Sequence, residues 1–84
     1  MKPVRIYTTP ICPYCVRAKA LLEKKGIAAE EVDVFMDADA RKDMEQRSGG
    51  ARTVPQIFIG DTHVGGCDDL YALEREGRLD SLLA

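Results

Sequence analysis

Apolar and polar residues alternate in two stretches of the chain, residues 4–8 and residues 29–35. In the first stretch the alternating partners are Arg5 and Tyr7. A period of two is typical of β-strands. Residues 56–64 contain an apolar run, a Gly-Asp turn and a short return, which predict a β-hairpin. The pattern thus predicts four strands.

A helical spacing replaces the alternation from Pro13 onward. Four residues fall on one face of this segment and charged residues occupy the others, while Gly26 follows as a stop signal. Residues 37–50 and 68–77 predict a second and a third helix, and a short helical piece follows Gly77. The apolar face of the first helix consists of Cys15, Ala18, Leu21 and Leu22.

The resulting order of elements is β-α-β-α-β-β-α. A helical crossover makes the first two strands parallel, and the tight hairpin makes the last two antiparallel. We therefore expect an α/β protein in which helices pack on a four-stranded mixed sheet. Because 84 residues are enough for only one core, residues 1–84 are expected to form a single domain.

The composition argues against several classes of function. Twelve Lys and Arg residues stand against 14 Asp and Glu residues, with no basic run longer than two, so nucleic acid is not an expected partner. No apolar stretch approaches about 20 residues, and the first residues lack the pattern of a signal peptide. We expect a cytoplasmic protein without a membrane partner.

The three cysteines of the chain are too few for a secreted, disulfide-stapled scaffold. Cys12 and Cys15 form a C-x-x-C motif at a strand-to-helix junction, which is typical of a redox centre. One alternative is that both pack as small apolar residues. Another is a structural zinc site completed by His63 and Cys67, but His63 is predicted on an exposed edge strand, so no metal site is predicted.

Cys12 is the predicted nucleophile because it stands at the N-terminus of the first helix. Only the thiolate attacks a disulfide, and the positive end of the helix dipole favours that charged form. Pro13 suits the first helical turn, where its missing N–H costs nothing. Cys15 lies one turn further along on the apolar face and is the predicted resolving thiol, more covered than Cys12.

Three separated segments make the chain resemble the glutaredoxins, in particular their small dithiol bacterial members. The segments are CPYC at 12–15, TVPQIFI at 53–59 and GGCDDL at 65–70, and their order and spacing follow the family over essentially the whole chain. The resemblance implies a thioredoxin-like fold and a glutathione-dependent thiol–disulfide oxidoreductase. It implies the same roles for Cys12 and Cys15, and a cis Pro55 beside Cys12.

Glutathione would be the co-substrate, with no tightly bound cofactor. A residue before proline is extended, so Val54 should leave its N–H and C=O free to pair with the cysteinyl unit of glutathione along Thr53 to Pro55. Tyr14 is expected to flank the sulfur as an aromatic wall. The glycyl carboxylate needs a cation; glutaredoxins often carry a lysine where this chain has Thr9, and Arg41 matches another family position for this role.

The γ-glutamyl end is expected at the start of the third helix, whose first N–H groups can receive a carboxylate while an aspartate takes the ammonium. The resemblance assigns this role to Gly66, the backbone of Cys67, Asp68 and Asp69. Both aspartates are also candidate N-caps. The Cys67 thiol is expected to be packed and inert, with glutathionylation as the alternative.

The expected partners are glutathione and proteins that carry a glutathionyl group or a disulfide. Ribonucleotide reductase is a candidate by family resemblance, and a monomer is expected. Two other functions stay open. One is a thioredoxin-like electron donor recharged by a flavoprotein reductase, and the other is a carrier of an iron–sulfur cluster ligated by Cys12 and glutathione.

Overall fold

A computed structural model describes residues 2–84 of the chain. Four strands and three helices occur in the predicted order, and a fourth helix corresponds to the short helical piece expected after Gly77. The elements are β1 (Val4–Thr8), α1 (Pro13–Lys24), β2 (Glu30–Asp33), α2 (Ala38–Arg47), β3 (Gln56–Ile59), β4 (Thr62–Gly65), α3 (Cys67–Arg75) and α4 (Leu79–Leu83).

The strands form one mixed sheet in the order β2-β1-β3-β4. β1 is parallel to β2 and antiparallel to β3, and β3 is antiparallel to β4, as the connection lengths predicted. Because β1 and β2 are parallel, the segments that follow them leave the sheet at the same end, beyond the C-terminal residues of both strands. The N-terminus of α1 lies at this end, since α1 follows β1 after four residues.

Apolar side chains cover both faces of the sheet. One cluster joins β1 and β3 to α1, α3 and α4. A smaller cluster on the other face contains Tyr7, Val34, Met44 and Phe58. Tyr7, which alternates with apolar residues in the sequence, is itself fully buried because Met44 of α2 packs over this second face.

The start of α3 differs from the expected position. The helix begins at Cys67 with Gly66 as its N-cap, so the prediction that Asp68 or Asp69 is the N-cap is wrong. Both aspartates lie within the first turn instead. Asp69 still satisfies a backbone donor at the start of the helix, because its Oδ2 accepts a hydrogen bond from the Gly66 N–H over 3.0 Å.

None of the helices between residues 2 and 84 has the length and apolar character needed to cross a membrane.

Candidate active site

Cys12 is the N-cap residue of α1. Its backbone is extended, and Pro13 occupies the first helical turn, as predicted. The first turn of a helix directs backbone N–H groups without intrahelical partners toward its N-terminus. Cys12 therefore stands where the helix favours a negative charge.

The two cysteines of the C-x-x-C motif are paired as a disulfide, with their Cα atoms 5.2 Å apart. Cys15 is only 1% exposed, whereas Cys12 is half-buried, so the predicted difference in coverage is confirmed. The backbone N–H of Cys15 donates to Cys12 Sγ over 3.1 Å. After reduction this donor is in place to stabilise a thiolate on Cys12.

A cis peptide bond joins Val54 to Pro55, as the family resemblance implied. Cys12 Sγ lies 3.9 Å from the carbonyl oxygen of Val54, so the segment before β3 lies beside the sulfur. Thr53, the residue before Val54, is held by the buried side chain of Gln56. The Nε2 of Gln56 donates to the Thr53 carbonyl oxygen over 3.0 Å and is 3.2 Å from Thr53 Oγ1.

A groove of about 380 Å³ runs from the first turn of α1 past this segment to the N-terminus of α3. Eight of the nine residues predicted to bind glutathione line it. These are Tyr14, Thr53, Val54, Pro55, Gly66, Cys67, Asp68 and Asp69. The volume lies within the range of about 300 to 1,000 Å³ that is common for small-molecule sites.

Arg41 is the predicted binding residue that does not line this groove. Its Nη1 donates to the carbonyl oxygen of Arg52 over 3.2 Å. The bond holds Arg41 next to the segment that carries Thr53. Thr9, the residue directly after β1, is half-buried.

Cys67 is buried at the start of α3. Burial raises the pKa of its thiol, with a smaller opposing effect from Arg17. A raised pKa keeps the sulfur protonated and unreactive near neutral pH. Cys67 belongs to the larger apolar cluster, so the structure confirms a packed thiol.

Gln56 and His63 also line the groove, and the sequence interpretation missed both. His63 Nε2 lies 2.7 Å from Gln56 Oε1, and the His63 ring stacks on Phe58 with centroids 4.9 Å apart. The available signal was a polar residue at the head of the apolar strand β3. Within residues 2–84, no three His, Cys, Asp or Glu side chains are gathered to hold a metal ion.

Comparison with known proteins identifies the family to which the chain belongs. Residues 4–64 match the model of the glutaredoxin family. The chain belongs to the glutaredoxin family. Over 83 residues it is 55% identical to Glutaredoxin 3 of Escherichia coli strain K12, and this alignment covers 99% of each protein.

Solved glutaredoxins share the architecture of this glutaredoxin. The solution structure of a glutaredoxin from Brucella melitensis superposes with a TM-score of 0.85 at 61% identity, covering 99% of this chain and 89% of that one. A buckwheat glutaredoxin, solved as a complex with glutathione, gives a TM-score of 0.86 at 32% identity, covering 98% and 76%. This glutaredoxin therefore has the thioredoxin-like fold and is a thiol–disulfide oxidoreductase.

Proposed function

We propose that this glutaredoxin uses glutathione to reduce protein–glutathione mixed disulfides and protein disulfides through Cys12 and Cys15. One observation carries the proposal. Cys12 Sγ accepts the Cys15 N–H at 3.1 Å and lies 3.9 Å from the Val54 carbonyl oxygen, so one sulfur faces both a thiolate-stabilising donor and the edge of the groove.

The groove can contact two of the three parts of glutathione, the cysteinyl unit and the γ-glutamyl end. The backbone of Val54, whose carbonyl oxygen lies 3.9 Å from Cys12 Sγ, offers polar groups to the central cysteinyl unit. The first turn of α3 offers N–H groups to the γ-glutamyl carboxylate, and the exposed carboxylate of Asp68 is available to its ammonium. Arg41 is the proposed partner of the glycyl carboxylate, and the buckwheat relative solved with glutathione supports the same ligand here.

Reduction of a glutathionylated protein requires Cys12 alone. The Cys12 thiolate attacks the glutathionyl sulfur, a new disulfide forms between Cys12 and glutathione, and the protein thiolate leaves and takes a proton from solvent. The thiolate of a second glutathione then attacks the glutathionyl sulfur. Oxidised glutathione departs and the Cys12 thiolate is restored.

Reduction of a protein disulfide requires both cysteines. Cys12 first forms a mixed disulfide with the substrate and releases one substrate thiol. Cys15, once deprotonated, attacks the sulfur of Cys12 and releases the second thiol, which leaves the Cys12–Cys15 disulfide seen in the structure. Two molecules of glutathione reduce this bridge and become oxidised glutathione.

The remaining features of the proposal come from the sequence and the family resemblance. They are the lack of a tightly bound cofactor, a monomeric state, a cytoplasmic location and ribonucleotide reductase as a candidate substrate.

The test is turnover of glutathionylated cysteine in the presence of glutathione, glutathione reductase and NADPH, compared between two variants that carry the same change one helical turn apart. We expect Cys12→Ser to abolish turnover of both this substrate and a protein disulfide. Cys15→Ser should keep the first activity and lose the second. Because the two variants differ only in which sulfur is removed, each controls for the other.

Two results would contradict the proposal. Full deglutathionylating activity in Cys12→Ser would remove its nucleophile. Turnover by the wild type with a flavoprotein thioredoxin reductase and no glutathione, together with no activity in the glutathione system, would instead identify a thioredoxin-like electron donor.

A further inference from the structure

A second cavity lies at the opposite end of the sheet from Cys12, where β1 and β2 begin. Its volume is about 270 Å³, and within residues 2–84 it shares no lining residue with the groove at Val54. The length of β1, about 13 Å from its first residue to its last, lies between this cavity and Cys12. We name it the distal cavity. Its charged and aromatic lining residues are Arg5, Glu30, Arg47, Phe58 and Asp61.

The aromatic side of the distal cavity is held in place by the core. Phe58 pairs with Arg5 in the register of β1 and β3, and its exposed fraction is only 7%. The rings of Tyr7 and Phe58 are nearly perpendicular, with centroids 5.7 Å apart, and the His63 ring stacks on Phe58. Because packed rings contact Phe58 on two sides, the shape of the cavity does not depend on a loop.

Arg47 is oriented by hydrogen bonds that begin at a buried side chain. Tyr7 Oη donates to Asp43 Oδ2 over 2.6 Å, and the two Asp43 carboxylate oxygens accept from Arg47 Nε over 3.0 and 3.1 Å. Among residues 2–84 the two Nη atoms of Arg47 have no hydrogen-bond partner. Four N–H donors of an oriented guanidinium group therefore remain for a ligand in the distal cavity.

The other charged groups of the distal cavity differ in whether they are already paired. Arg5 Nη2 lies 3.2 Å from both carboxylate oxygens of Glu30, so these two charges neutralise each other. Asp61 is exposed in the turn between β3 and β4, and its carboxylate has no ion pair or hydrogen bond within the part of the chain that the structure describes. The cavity thus presents one guanidinium group and one carboxylate that are open to a ligand.

We propose that the distal cavity binds a small zwitterion of about the size of a dipeptide, with its carboxylate on Arg47 and its ammonium group on Asp61. A guanidinium fork matches the two oxygens of a carboxylate, and a carboxylate accepts the N–H bonds of an ammonium group. An anionic ligand would meet the carboxylates of Glu30 and Asp61, whereas a cationic ligand would leave Arg47 unmatched.

The size of the distal cavity also favours such a ligand. Its volume is just below the range of about 300 to 1,000 Å³ that is common for drug-sized ligands. The site goes beyond the proposed function, because no step at Cys12 uses it.

The experiment titrates the ¹⁵N-labelled, reduced protein with three forms of one dipeptide at pH 7 and follows the amide signals by NMR. Glycyl-leucine carries both charges, acetyl-glycyl-leucine only the carboxylate, and glycyl-leucinamide only the ammonium group. We expect glycyl-leucine to bind with a Kd of about 1 mM and to shift the signals of Phe58, Gly60 and Asp61. Loss of either charge should weaken binding about 5-fold.

Two variants assign each charge of the peptide to its partner. Arg47→Gln should weaken glycyl-leucine about 5-fold and leave the affinity for glycyl-leucinamide unchanged. Asp61→Asn should weaken glycyl-leucine to a similar extent and leave the affinity for acetyl-glycyl-leucine unchanged. The matched control Arg78→Gln removes an exposed arginine that pairs with Glu76 outside the cavity, and it should bind all three peptides as the wild type does.

Several results would overturn the distal site. They are the absence of any shift at about 20 mM glycyl-leucine, shifts confined to Gly66, Cys67 and Asp68 in the groove, and equal affinities for the three peptides. Unchanged binding of glycyl-leucine by both variants would overturn it as well. Turnover of glutathionylated cysteine should be the same in the wild type, Arg47→Gln and Asp61→Asn, so that failure of the distal site leaves the proposed function intact.

Discussion

His63 Nε2 lies 2.7 Å from Gln56 Oε1, and this contact fixes the orientation of the Gln56 amide. Because Gln56 Nε2 donates to the Thr53 carbonyl oxygen, Gln56 Oε1 is the acceptor in the contact with His63. His63 therefore carries a proton on Nε2. A line of hydrogen bonds runs from the edge strand β4 through β3 to Thr53, next to the proposed glutathione-binding edge at Val54.

Removing the Gln56 amide should weaken glutathione binding more than catalysis. We expect Gln56→Leu to raise the KM for glutathionylated cysteine about 5-fold, because one neutral hydrogen bond contributes about 1 kcal/mol, with a smaller change in kcat. His63→Phe keeps an aromatic ring against Phe58 but removes the donor, and should shift KM in the same direction. Steady-state kinetics of the purified variants provide the measurement.

The exposed neighbour Thr62 supplies the control for this pair of variants. Thr62→Val lies in β4 but outside the line of hydrogen bonds, so its KM should equal that of the wild type. An unchanged KM in a folded Gln56→Leu protein would show that the Thr53 segment keeps its position without the amide.

Local sequence signals predicted the elements that carry the cysteines. The change from alternation to helical spacing at Pro13 located Cys12 at a helix start, and the apolar face located Cys15 under cover, because both depend on residues close in the sequence. The contact of Gln56 with His63 depends instead on the register of β3 against β4. That register contains an irregularity between Ile57 and Phe58, which residue types do not reveal.

The start of α3 shows a competition that sequence alone did not resolve. Aspartate is a favoured N-cap, so Asp68 and Asp69 were the natural candidates. Glycine is also accepted at this position, and an acidic residue three places later can bond back to the N-cap N–H. Gly66 and Asp69 adopt this second arrangement. Arg41 likewise meets a carbonyl 11 residues away, which only the packed fold brings close.

The Tyr7–Asp43 hydrogen bond predicts a loss of stability in acid. Tyr7 Oη donates to Asp43 Oδ2 over 2.6 Å, and this bond, with a second contribution from Arg47, lowers the pKa of Asp43. A folded pKa below the unfolded value of about 3.9 means that the contribution is present above that pH and is lost as the pH falls through the folded pKa. Wild type should thus exceed Asp43→Asn in free energy of unfolding at pH 7.

Urea denaturation at pH 7 and at about pH 2.5 measures this difference, which should be smaller at the lower pH. Tyr7→Phe removes the donor that contributes most to the shift, so its own loss of stability between the two pH values should be smaller than that of the wild type. A constant gap between wild type and Asp43→Asn at both pH values would contradict the assignment.

Gly65 and Gly50 share a positive φ but differ in their surroundings. Comparing them separates the backbone strain caused by a side chain from its steric overlap with neighbouring atoms. Their φ angles are 113° and 109°, values that residues with a Cβ rarely adopt. A Cβ on Gly50 meets nothing within 4 Å, whereas a Cβ on Gly65 would overlap the carboxylate of Asp69. Because the Asp69 carboxylate accepts a hydrogen bond from the N–H of the N-cap residue Gly66, Gly65→Ala must disturb this bond as well as strain the backbone.

We therefore expect Gly65→Ala to lower the free energy of unfolding by about 1 kcal/mol more than Gly50→Ala, the size of a lost helix cap. Urea denaturation of both variants gives the comparison. Asp69→Ala supplies the third corner of a double-mutant cycle, since Gly65→Ala should cost less once the carboxylate is gone. Equal losses in Gly65→Ala and Gly50→Ala would mean that α3 keeps its cap, and that the strand end moves to make room.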